Sequence, residues 1–247
     1  MPTVTGDSRL QSDVLEELSD ARAYRRWLAH LARPYLGDDP VEVGSGTGDY
    51  ALEWAPTVKR FTATEADESR YKALAARFAD HENIVTRELL LPDAEADGHH
   101  TAAVAYNVLE HIPDHVGALR GMGALIRPGA PVIIIVPAFP SAMSRFDRAI
   151  GHERRYTRDS LRTAMTEAGL EVEDVRYLNP IGLINWYVSV KGLGMTPRNG
   201  ALLRLYDRTF VPVARFLDRR GRAPFGQSVF GVARVPAAPP HVPGPRG

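Results

Sequence analysis

The chain has 247 residues, 44% hydrophobic and 24% charged, with 30 Lys plus Arg against 30 Asp plus Glu, the proportions of one globular domain or of one domain with a substantial insertion. The absence of cysteine excludes disulfides, thiolate catalysis and cysteine-ligated metals. Zero formal charge argues against a broad phosphate-neutralising surface, and the longest apolar run, around residues 132–136, is too short to span a bilayer.

In chain order, residues 8–36 carry a helical pattern, with Leu10, Val14, Leu15 and Leu18 on one face and Tyr24, Trp27, Leu28 and Leu31 on another. Pro34 and Gly37-Asp38-Asp39-Pro40 end it. The opening residues Met1-Pro2-Thr3-Val4 lack the basic-then-apolar pattern of a secretory leader, so a cytoplasmic address is expected. Val41-Glu42-Val43-Gly44-Ser45-Gly46-Thr47-Gly48-Asp49 then reads as a short strand and a glycine turn, followed by a helix from Tyr50. Alternate glycines let backbone approach a ligand, and a helix N-terminus behind them aims N–H groups at an anion. A nucleotide-like cofactor is expected there. A dinucleotide fingerprint needs a small residue where Asp49 stands. That carboxylate repels a pyrophosphate and is suited to cap the helix itself. A nicotinamide-dependent oxidoreductase is therefore the disfavoured alternative.

A second strand is expected over 60–65 and a helix over 69–79. Glu65 lies 19 residues beyond Gly46, at a strand end where a carboxylate can accept both hydroxyls of a ribose. A third strand covers 84–89. A fourth, over 101–106, runs into Asn107-Val108-Leu109-Glu110-His111-Ile112-Pro113, a loop that must face any ligand bound outside the strand ends. Pro113 suits the first turn of a helix over 114–125, and 132–137 is a buried fifth strand. His111, Asp114 and His115 invite a metal reading, but Asp114 has an ordinary role at a helix start, and no metal is expected.

Residues 146–157, Phe-Asp-Arg-Ala-Ile-Gly-His-Glu-Arg-Arg-Tyr-Thr, form a lid before a helix capped by Thr157 and stopped at Gly169. Asp147, Arg154 and Arg155 either fasten this lid by salt bridges or leave the arginines for an anionic acceptor, and His152 faces the substrate. A sixth strand over 170–177 should return directly to a seventh, yet the return waits until 227–233. The intervening 179–224, with Asn179, Asn185, Trp186, Tyr187 and a helix over 201–219, is too long for a structureless loop and reads as a helical cap over the pocket. The tail 236–247 is Pro- and Gly-rich and reads as disordered.

Glu42 with its G-x-G-x-G turn resembles motif I, [E/D]-x-G-x-G-x-G, of the class I S-adenosylmethionine-dependent methyltransferases. Residues 107–112 are similar to that family's [S/N/E]-V-L-E-H-[I/V] text, and Ile126-Arg127-Pro128-Gly129-Ala130 to its L-x-P-G-G. The lid text and the later Pro224-Phe225-Gly226-Gln227-Ser228 resemble a subset of these enzymes. The resemblance covers about residues 40–235. It implies an α/β fold, a Rossmann-like doubly wound seven-stranded sheet with its last strand antiparallel and helical lid insertions. The expected organisation is a helical lid over 1–39, a core over 40–178 and 225–235, and a cap over 179–224.

The implied cofactor is S-adenosyl-L-methionine, held by Glu42, Gly44, Ser45, Gly46, Gly48, Glu65, Ala66, Glu88, Leu89, Asn107, Val108 and Leu109. Glu42 would reach the methionyl amino group, often through water, and Glu65 the ribose. Glu88 is the candidate for the adenine amino group, although Leu89-Leu90-Leu91-Pro92 departs from the family pattern and those leucines can instead line the adenine face. His111 and His152 are the candidate general bases, with Tyr156 and Tyr187 as orienting groups; alternatively His111 buttresses the cofactor loop. The expected acceptor is a small organic molecule with an O, N or C nucleophile, with no nucleic acid and no membrane as partner. Because motif I reports cofactor binding rather than chemistry, a fold repurposed for cyclisation or for binding alone is the alternative.

Overall fold

The structure, a computed structural model, describes residues 21–93, 97–194, 200–220 and 223–237. The helical pattern over 8–20, with Leu10, Val14, Leu15 and Leu18, and the tail from 238 onward lie outside these residues. Seven strands form one sheet: β1 (Val41–Glu42), β2 (Phe61–Glu65), β3 (Ile84–Glu88), β4 (Ala103–Tyr106), β5 (Pro131–Pro137), β6 (Glu171–Leu178) and β7 (Ser228–Arg234). Their order is β3-β2-β1-β4-β5-β7-β6. The pairs β1–β2, β2–β3, β1–β4 and β4–β5 are parallel, and β7 runs antiparallel to both β5 and β6. The chain winds outward from β1 to β3 and then restarts at β4 beside β1. The crevice at that reversal, beyond the carboxyl ends of the strands, is where such sheets bind ligands.

Period-2 alternation builds a core on each face. On one face Ala103, Ala105, Val132, Ile134 and Val136 pack with α4 (His115–Ala124) and α6 (Arg158–Glu167) through Leu119, Met122, Leu161 and Met165. On the other, Val104, Tyr106, Ile133 and Ile135 meet α1 (Arg22–Ala32), α2 (Asp49–Trp54), α3 (Glu68–Arg77) and α8 (Gly200–Arg220) through Trp27, Leu28, Trp54, Leu74, Val211 and Ala214. β5, buried at every residue, has no polar face because both sides are covered.

α1 is welded to this second core. Trp54 Nε1 donates to the Ala29 carbonyl at 2.9 Å, Tyr106 Oη to that of Leu28 at 3.2 Å, and the Ala23 and Tyr24 amides to the Asp207 carboxylate of α8, each at 2.8 Å. The segment after β6 folds as α7 (Pro180–Asn185), a π-helical stretch Trp186–Gly192, and α8. Trp186 Nε1 donates to the Ala142 carbonyl at 3.0 Å, which ties this segment to the turn after β5.

The local punctuation differs from the sequence reading at two points. Asp49 does not cap α2: Gly48 is the N-cap, and the Asp49 carboxylate pairs with Arg25 at 3.4 Å and Arg77 at 3.0 Å. Pro113 is not in the first turn of α4, because Asp114 is the N-cap and accepts from Gly117 N. Thr157 does cap α6, in a reciprocal box with Ser160, and Gly169 takes φ +83° after it.

Candidate active site

Three turns meet at the carboxyl ends of β1, β2 and β4. In the first, Gly44, Gly46 and Gly48 all have left-handed φ, from +55° to +80°, so the loop folds back on itself without Cβ atoms. A Cβ on Gly44 would stand 2.6 Å from Val108 Cγ2, and one on Gly48 2.4 Å from the Phe78 ring. Glycine is thus required both by backbone conformation and by contact with the β4 loop and α3.

Below the loop Glu42 is buried. One of its oxygens accepts from Ser45 Oγ at 2.8 Å, and Ser45 Oγ in turn accepts from Thr64 N at 3.1 Å. Burial pushes the Glu42 carboxyl up to about 8, against the Ser45 hydrogen bond. At the end of β2, Glu65 Oε2 accepts from Gly46 N at 3.1 Å. Its Oε1 accepts from Ala66 N and Asp67 N, each at 3.0 Å, and meets the Arg70 guanidinium at 3.2 Å. Ribose hydroxyls taken up by Glu65 would replace or share the Arg70 contact. Glu88 is exposed at the end of β3 and Leu89 is buried beside it. Asn107 is exposed with φ +54°, Val108 is half-buried and Leu109 is buried. Asn107, Phe139 and Asn179, the non-glycine residues at positive φ among the described residues, follow β4, β5 and β6 at this same edge of the sheet. Such positions are costly and cluster where ligands are handled.

These features fit S-adenosylmethionine: a buried carboxyl group under a cradle of glycine backbone, which a cationic amino group would ionise, and a carboxylate at the next strand end for a diol.

Next to this cradle lies a polar cluster made by the β4 loop and the lid. α5 (Arg145–Ala149) is closed by a capping box between Ser144 and Asp147. Asp147 is fully buried. Its Oδ1 meets the Arg155 guanidinium at 2.7 Å and His152 Nδ1 at 2.8 Å. Burial alone would raise the Asp147 carboxyl, but the His152 hydrogen bond and the Arg155 charge outweigh it and hold it well below the carboxylate range. His152 therefore has its Nδ1 side fixed, and its Nε2 lies 3.8 Å from Glu110 Oε1. His111 Nδ1 faces the Gly151 carbonyl at 3.2 Å, and the two imidazole rings meet edge to face at 4.7 Å. Burial, then the neighbouring His152, lowers the His111 pKa to about 4. Glu110 is fully buried, with neither oxygen hydrogen-bonded among the described residues, and burial raises its carboxyl to about 7.

Of the residues read as catalytic, the structure brings His111 and His152 together. Tyr156 sits in the core, 1% exposed, with its hydroxyl 3.1 Å from His115 Nδ1. Tyr187 stands on the π-helical stretch, its hydroxyl 2.7 Å from Ser141 Oγ. His111, Asp114 and His115 do not form a ligand set, since Asp114 caps α4 and His115 turns to Tyr156. Arg155 does fasten the lid, through Asp147 and the Ala138 carbonyl. Arg154 is tied to the Ile112 and Pro113 carbonyls, so neither arginine is set aside for an anionic acceptor. Glu110 and Asp147 were missed as site residues; the D-x-x-x-G-H text carries Asp147 five residues ahead of its histidine.

A family model described as a methyltransferase domain matches residues 14–175. An uncharacterized methyltransferase of Mycobacterium tuberculosis, Rv0089, is 32% identical over 107 residues, 41% of this chain and 51% of its own length. The chain thus spans about half the length of the curated relatives it matches. Among solved structures, the complex of the Haloferax volcanii Trm112 methyltransferase activator with a putative methyltransferase gives a TM-score of 0.68 at 14% identity, over 97% of this chain and 100% of that one. The geranyl diphosphate C-methyltransferase of Streptomyces coelicolor, solved with Mg2+, geranyl diphosphate and S-adenosyl-L-homocysteine, gives 0.61 at 15% identity, over 84% and 79%.

Proposed function

This chain belongs to the S-adenosylmethionine-dependent methyltransferases of class I, and from that membership we propose that it methylates an O, N or C nucleophile of a small organic molecule. The observation that carries the reading is the pairing of the glycine cradle with the cluster of buried Glu110 and half-buried His111 and His152, joined by the contact of Val108 with Gly44. The cofactor supplies an electrophilic methyl on a sulfonium, so the acceptor must be held in line and, if it arrives protonated, must lose a proton. Gly44, Ser45, Gly46 and Gly48 with Glu42 and Glu65 hold the cofactor; Ala66, Glu88, Leu89, Asn107, Val108 and Leu109 line its edge.

On the acceptor side, Asp147 fixes His152 through Nδ1, which directs the Nε2 lone pair toward the cluster for the acceptor's proton. The cofactor would supply the methyl group and leave as the uncharged thioether, while the acceptor's proton would pass to His152 Nε2. The Trp186–Gly192 stretch and its bond to Ala142 support a roofed pocket suited to a small acceptor, as does the small substrate of one structural neighbour. With no cysteine to demand an oxidising compartment, the reading carries a cytoplasmic address.

The test is His152→Ala, assayed against candidate acceptors with labelled cofactor. Turnover should fall by roughly 10²–10⁴-fold while S-adenosylhomocysteine affinity is unchanged. Full turnover in the variant would remove His152 from the acceptor's chemistry.

A further inference from the structure

Glu110, His111 and His152 each present a ligand atom within 4.8 Å of the other two. Two independent features separate this cluster from an ordinary polar pocket. The Glu110 carboxylate is fully buried and both of its oxygens lack a hydrogen-bond partner among the described residues. A buried carboxylate in that condition is costly unless a cation or donor completes it. Each histidine is also already held from behind: His152 by the Asp147 carboxylate at 2.8 Å and His111 by the Gly151 carbonyl at 3.2 Å. Carboxylate or carbonyl behind Nδ1 is the support that metal-ligating histidines require, because it fixes the tautomer and aims the other nitrogen.

We propose that Glu110, His111 and His152 bind a divalent first-row cation on the acceptor side of the cofactor cradle. Two imidazoles and one carboxylate suit Zn2+, Mn2+, Fe2+ or Co2+, and three ligands on one side leave positions open for an acceptor oxygen. The ion would bind the acceptor hydroxyl and lower its pKa without any change of oxidation state, so that its proton passes to solvent water, and His152 would act as a ligand in place of a free base. Donor atoms sharing an ion at bonds of ~2.1 Å stand ~3 Å apart, and His152 Nε2 and Glu110 Oε1, at 3.8 Å, are already near that spacing. The lid is part of the site: Glu153 N donates to the Glu110 carbonyl at 2.9 Å, which locks the segment bearing His152 to the loop bearing Glu110 and His111. A second group with metal-ligand potential, Asp39, His99 and His100, lies before β1 and β4, at the opposite end of the sheet. There His99 is exposed and His100 hydrogen-bonds the Asp39 carbonyl. This group serves as the control.

The inference rests on the reading of the cluster as the acceptor side of a methyltransferase, and its test separates the two. The metal-stripped full chain is titrated with Co2+, read by visible absorption, and with Mn2+, read by the loss of the free-ion spin-resonance signal. S-adenosylhomocysteine binding is measured in parallel. One ion per chain should bind in the micromolar range, with a ligand-field band from Co2+. Glu110→Gln and His152→Ala should each weaken it by at least about tenfold, and His99→Ala should leave it unchanged. Glu110→Gln preserves size and shape, so it decides the matter if His152→Ala does not fold. Failure of the chain to hold either ion below millimolar, equal affinity in Glu110→Gln, or loss only in His99→Ala would each overturn the site. Ion binding decides the cation site whatever the cofactor does, and absent S-adenosylhomocysteine binding would count against the underlying reading alone.

Discussion

Glu42 shows how far a single side chain can be displaced from its usual chemistry. With its carboxyl raised from 4.5 to about 8 by burial, the folded chain keeps a proton that the unfolded chain releases. Between those values the native state binds more protons than the unfolded one, so this group's contribution to stability falls as pH rises through the window and levels off above 8. Glu42→Gln should remove that slope, leaving a variant more stable than the parent at pH 8 and little changed near pH 4.5. Urea denaturation at the two pH values measures it, and parallel pH profiles would count against a protonated Glu42. Asp147 is the opposite case, a buried carboxylate kept charged by Arg155 and His152. Asp147→Asn leaves Arg155 without its counter-charge and should cost about 3–5 kcal/mol in the same denaturation experiment. A loss under 1 kcal/mol would mean that the lid is fastened elsewhere.

At the residue scale the sequence was readable where chemistry is local. The caps at Asp114 and Thr157 and the left-handed Gly169 follow from neighbours within a few positions. What stayed hidden was depth. Asp49 invites a reading as a cap, yet its partners Arg25 and Arg77 come from 24 and 28 residues away. Tyr156 has the chemistry of a site residue, but its ring lies 1% exposed in the core that β5 and α6 share. Glu110 carries no signal of burial in its own text, because residues of the lid some forty positions later cover it.

At the scale of elements, the glycine turn is held by packing as much as by torsion. Gly48→Ala must accept φ +80° and a Cβ 2.4 Å from Phe78. The left-handed conformation costs about 1–2 kcal/mol and overpacking about 1–3 kcal/mol, so a loss of several kcal/mol is expected from denaturant unfolding. Gly129→Ala shares a φ of +78° with nothing within 4 Å of the new Cβ and should show only the torsional cost. Equal losses would mean that Phe78 yields. The strands were legible to within two residues because β4 and β5 carry continuous apolar text and flanking turn residues. The cap was legible only as helix; the π-helical Trp186–Gly192, seated against Ala142 and Ser141, was not.

At the scale of the whole molecule, Gly44 of motif I and Val108 of the β4 loop lie 64 residues apart in the sequence and become neighbours because β4 pairs with β1. That pairing brings the glycine cradle, Glu65 and the Glu110 cluster to one edge of the sheet, and it is the feature that the doubly wound topology supplies. Strand text alternating with helices pointed to an α/β sheet, and the doubly wound order with its antiparallel last strand came from the resemblance of residues 40–235 to the methyltransferase family; the convergence of Glu110, His111 and His152 was not legible, because it needs the lid in place.

Every role assigned at this edge of the sheet requires the cradle to hold S-adenosylmethionine. Calorimetric titration with S-adenosylmethionine and S-adenosylhomocysteine, for the parent chain and Glu65→Ala, tests it most directly. Low-micromolar dissociation constants, about −8 kcal/mol, are predicted for the parent, with clear weakening in Glu65→Ala and no competition from NADH. Tight NADH binding, or cofactor affinity unchanged by Glu65→Ala, would contradict it.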